Sequence, residues 1–104
     1  MILYSCNPKN YSVTVEATLE DGRLRILKHT IDDKLEDIIG DSDSEQFYDF
    51  SLEATSKLFM LLGNEESDLS PLQLIAKHFS GKDGIARLIN YCREHDISYT
   101  SFMY

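Results

Sequence analysis

Ser12-Val-Thr-Val-Glu-Ala-Thr-Leu-Glu20, then Asp21-Gly22, then Arg23-Leu-Arg-Ile-Leu-Lys-His-Thr-Ile31 is the stretch on which the fold of this chain turns. From Ser12 to Glu20 the residues alternate, Val13, Val15, Ala17 and Leu19 against Ser12, Thr14, Glu16 and Thr18. Successive side chains of a strand point to opposite faces, so the alternation predicts a strand with one buried face. Asp21-Gly22 supplies two residues that tolerate positive φ, as a type I′ turn requires, and Arg23 to Ile31 returns as the second strand. A two-residue turn fixes the register, setting Glu20 opposite Arg23, Leu19 opposite Leu24, Ala17 opposite Ile26 and Thr14 opposite His29. The returning strand is less regular, with Leu27 on the polar side and Lys28 on the apolar one. That irregularity predicts a neighbour covering part of both faces.

Beyond the hairpin, Ile31, Leu35, Ile38 and Ile39 fall at i, i+4, i+7 and i+8, the stripe of a short helix. Asp32 can cap it and Gly40 can end it. Asp41 to Ser44 reads as a polar loop, and Glu45-Gln-Phe-Tyr-Asp-Phe50 as a short third strand. Ser51 is the expected N-cap of a helix over 52–62, closed by Gly63, with Leu52, Thr55, Phe59 and Leu62 inward. Ser70 and Gln73 form a capping box around Pro71, and Leu69 can staple to Leu74. That helix should bury Leu72, Ile75, Ala76 and Phe79 and stop at Gly81. Asp83 opens the next, with the stripe Ile85, Leu88, Ile89 and Cys92. Ile97 to Tyr104 is rich in β-formers and free of breakers, so a last strand is expected there. The expected fold is one α+β domain over residues 1–104. Its mostly antiparallel sheet comprises the N-terminal hairpin, a short middle strand and a C-terminal strand, with three or four helices on one face.

Composition narrows the function. The 104 residues are 42% hydrophobic and 27% charged, ordinary for one globular domain. Eighteen acids stand against ten Lys and Arg, a net charge of −8. Direct nucleic-acid binding needs a basic footprint, and an anionic membrane surface repels such a chain, so neither is an expected partner. A basic protein is the natural one. Met1 to Pro8 lacks the basic flank of a signal peptide, and no apolar run reaches spanning length. Cys6 and Cys92 form no CxxC spacing and read as free thiols of a reducing compartment, so a cytoplasmic location is expected.

Chemistry is sparse. His29 lies on a strand, His78 on an outer helix face, and His95 at a helix end where the dipole favours an imidazolium. Cys92 and His95 are spaced i, i+3 and could share a metal, but nothing adjacent completes three or four ligands. Gly81-Lys-Asp-Gly84 is no phosphate loop, and no GxSxG or Walker pattern occurs. Catalytic residues, a metal and a cofactor are therefore not expected, with a small enzyme whose site assembles only in space as the remote alternative.

Two features stand above this background. Asp32, Asp33, Glu36, Asp37, Asp41, Asp43 and Glu45 surround the single base Lys34 between residues 32 and 45. They are the partner-binding residues that the sequence suggests. Helix-start and loop preferences account for some of them, and solvation alone remains the competing reading. Sparse compensation by bases favours a steering face instead. Aromatic residues also concentrate, Phe47, Tyr48 and Phe50 in one group and Tyr99, Phe102 and Tyr104 in another. About half of each group should be core, and the rest could anchor an interface.

Size, charge and early hairpin join a further pattern. It runs Phe47-Tyr-Asp-Phe-Ser-Leu-Glu-Ala-Thr-Ser-Lys-Leu58, Leu61-Leu-Gly63, Phe79-Ser-Gly81, Gly84-Ile85, Tyr91-Cys92 and Ile97-Ser-Tyr99. Together these features resemble the small acidic immunity proteins that bacteria pair with polymorphic toxins, including those of contact-dependent growth inhibition. The resemblance implies a cytoplasmic protein that binds one cognate toxin, often a basic nuclease, and blocks its active site or its access to substrate. It carries no contact residues across. Another acidic protein-binding module, such as a nucleic-acid-mimicking inhibitor or an adaptor subunit, is the alternative. About 800 Å² per partner makes a standard interface, and a folded chain of this mass exposes roughly 6,000 Å². One face suffices.

Overall fold

The computed structural model describes residues 1–7, 11–32, 43–63 and 68–104. Five strands form one sheet: β1 (Ile2–Cys6), β2 (Tyr11–Glu20), β3 (Arg23–Asp32), β4 (Asp43–Asp49) and β5 (Thr100–Met103). Their spatial order is their chain order, and every neighbouring pair is antiparallel. Between β4 and β5 the chain forms α1 (Leu52–Leu61), α2 (Pro71–Phe79) and α3 (Gly84–Glu94). The α+β class stands as expected.

The hairpin forms in the expected register, with Glu20 against Arg23, Ala17 against Ile26 and Thr14 against His29. Asp21 and Gly22 have φ of 52° and 77°, both left-handed, as the turn demands. Val13, Val15, Ala17, Leu24 and Ile26 are buried on one face. The described helices pack on that face, and their Leu58, Phe59, Ile75, Phe79, Leu88 and Cys92 join it in one core. No described helix lies on the opposite side, which we call the outer face.

Helix boundaries follow local chemistry. Ser51 Oγ accepts from Ala54 N at the start of α1. At α2, Gln73 N donates to Ser70 Oγ and Ser70 N donates to Gln73 Oε1, closing the capping box with Pro71 in the first turn. Asp83 stands before α3 as foreseen, but its side chain makes no cap bond.

The strand layout differs from expectation in three respects. β1 has no counterpart in the sequence reading. It is five residues long, and an irregular register between Ile2 and Tyr4 breaks its alternation, so it carries no period-two signal. β4 begins at Asp43, inside the expected loop. β5 begins only at Thr100, because the Ile97 N–H still donates to the Cys92 carbonyl at the end of α3, after Asp96 at φ 53°, and Ile97 is buried in the core. The inner stripe of α1 is also displaced. Ala54, Thr55, Leu58 and Phe59 are buried, whereas Leu52 is 52% exposed and reaches toward Gly22 of the hairpin turn. The helix expected over 31–39 falls largely outside the described residues, and the described part, Ile31 and Asp32, ends β3.

Candidate interaction face

β4 and β5 bring the two aromatic groups together, and strand alternation sorts them. Tyr48, Phe50 and Tyr99 turn inward, with ring centroids 5.9 Å apart for Tyr48–Tyr99 and 5.5 Å for Phe50–Tyr99. Phe47 pairs with Phe102 on the outer face. Their rings stack at 5.0 Å and 18°. Tyr104 stands edge-on to both, 5.6 Å from each at 84° and 87°. Mutual bonds between the Tyr104 and Glu45 backbones, 2.8 and 3.2 Å, hold the tyrosine in place. These quadrupole-favoured arrangements make a three-ring box, with Tyr104 79% exposed.

A cation of the chain itself leans on this box. The Arg25 guanidinium lies 4.8 Å from the Phe47 centroid and 6.0 Å from that of Phe102. Asp49, opposite Arg25 in the register, grips it twice, Nε–Oδ1 at 2.6 Å and Nη2–Oδ2 at 2.9 Å. That hydrogen-bonded carboxylate raises the Arg25 pKa above its ordinary value. The pair is largely exposed, so it orients the guanidinium more than it stabilises the fold. Leu27 pairs with Phe47, which explains its place on the polar side of β3: it backs the aromatic box.

The predicted acidic residues divide. Asp33, Glu36, Asp37 and Asp41 lie outside the described residues. Asp32 ends β3 and Asp43 opens β4, where it pairs with Ile31, so both flank the same end of the sheet. Glu45, half-buried and opposite His29, stands beside Tyr104 on the outer face. Of the three among the described residues, Glu45 is placed next to the box. Arg25 and Asp49 escaped the sequence reading because their meeting depends on the β3–β4 register, which no tight turn specifies.

His78 is exposed, and the His95 ring packs 4.3 Å from that of Tyr91 at the end of α3. Cys92 is 1% exposed, and burial pushes its thiol up to about 11, the state of an inert core cysteine. Among the described residues no three His, Cys, Asp or Glu side chains gather in a group that could hold a metal. No family model, curated protein or solved structure matches the chain.

Proposed function

We propose that the chain is an immunity protein that neutralises a cognate protein toxin by direct docking through the outer sheet face. The observation that carries this reading is the box of half-buried Phe47 and Phe102 with exposed Tyr104, on a sheet face that no described helix covers. Rigid aromatic side chains held by strand pairing supply contact area at little entropic cost, the usual chemistry of interface anchors. The net charge of −8 supplies the second element, attraction for a basic partner such as a nuclease. Nanomolar affinity needs about −12 kcal/mol, which steering alone does not provide, so the rings anchor while the acids accelerate encounter. The total accessible surface of 6765 Å² leaves ample room for a standard interface.

Capture from the native host on immobilised protein, read by mass spectrometry, should retain a basic toxin domain. Co-expression should rescue cells from that toxin, and the two should elute together on gel filtration. Phe102→Glu should abolish both complex and rescue while circular dichroism stays unchanged. Rescue with no complex, or an undiminished complex with the Phe102 variant, would refute docking through this face.

A further inference from the structure

We propose that a cavity on the opposite, helix-covered side of the sheet binds a small amphipathic anion, a carboxylate on an apolar body. The cavity measures about 480 Å³ and lies between β1, β2 and β3 and the first turns of α3. Ligand sites commonly span about 300–1,000 Å³ and combine apolar walls with a few polar groups. Here Val15, Ile85 and Ile89 line the apolar part, with Tyr4 beside them.

Lys28 gives the cavity its chemistry. Its register position, between Val15 of β2 and Gln46 of β4, places it on the face that otherwise buries Val13, Ala17 and Ile26. It is half-buried, and among the described residues no carboxylate pairs with it. A cation partly withdrawn from water without a counter-ion is unfavourable, and a lysine in an apolar row conflicts with the strand pattern. An anion in the cavity resolves both. Lys82 adds a second positive charge against the single carboxylate of Asp83, so the lining carries a positive balance within an acidic protein. The Tyr4 phenol, whose pKa is raised first by its hydrogen bond with Cys6, stays neutral and adds no opposing charge.

Octanoate and 1-octanol test the assignment, since they share an apolar body and differ in charge. Titration followed by amide chemical shifts should show octanoate saturating one site, with shifts at Tyr4, Val15 and Ile89. Octanoate should bind about tenfold more tightly than octanol, the scale of one charge-assisted hydrogen bond. Lys28→Met should erase that preference. Ala86→Phe, a change at a solvent-facing residue of the lining, should fill the space and abolish binding of both probes. No saturable shift at these amides, or an intact preference in the Lys28 variant, overturns the proposal. The site faces away from the aromatic box, so either result is independent of toxin binding.

Discussion

Thr55 shows how a single hydroxyl joins the helices to the sheet. It is 2% exposed on α1, and its Oγ1 accepts the Leu24 N–H of β3 at 3.0 Å. The carbonyl of Leu24 is taken in turn by Phe50 N at 2.9 Å, so the backbone beside the hairpin turn is satisfied on both sides. Thr55→Val keeps the shape and removes the acceptor. Leaving a buried N–H unpaired should cost about 1–3 kcal/mol, read as a lower urea midpoint with an unchanged slope. The sequence reading placed Thr55 on the inner face of its helix for its spacing alone. Nothing local could disclose the bond, because its partner lies far away in the chain.

At the scale of elements, legibility followed the locality of the signal. The hairpin and α2 were readable because turn and capping box are written in adjacent residues, Asp21-Gly22 and Ser70 to Gln73. Gly22 makes the sharpest test. Its φ of 77° disfavours a β-branched side chain, and an added Cβ would sit 2.7 Å from Leu52 Cδ1. Gly22→Val should therefore lower stability by about 1–3 kcal/mol in thermal or urea unfolding. An unmoved transition would show that the turn does not constrain the sheet. β1 was not readable, since a short irregular strand defines itself only against β2. The β3–β4 register was equally hidden, and with it the clamp of Asp49 on Arg25. The aromatic residues were visible as two groups, yet their sorting into core and surface required the pairing of β4 with β5. Of the proposed acidic site, Glu45 is the one among the described residues set beside the rings, and charge pattern alone cannot choose among neighbours in space.

Across the whole molecule, buried acids that stay neutral shape the response to pH. Burial raises the pKa of Tyr48 and Tyr91 and brings the Cys92 thiol to about 11. A folded value above the unfolded one favours the protonated native state. This stabilisation is fully present well below the ordinary thiol value of about 8.5 and is lost as pH rises from there through the folded values. Urea unfolding at pH 8 and pH 10.5 should show a fall in stability, and Cys92→Ala should make that fall shallower. An identical fall in the variant would refute the assignment to Cys92. A different consequence follows from the distribution of the three rings along the chain. Phe47 precedes all three described helices, whereas Phe102 and Tyr104 follow them. During synthesis the hairpin emerges before the helical segment, and Phe102 and Tyr104 emerge after it. Box assembly thus depends on β4 meeting a strand from beyond the helices, and under the proposed function a chain cut short within the helical segment would keep Phe47 but lack the two rings that complete the docking surface.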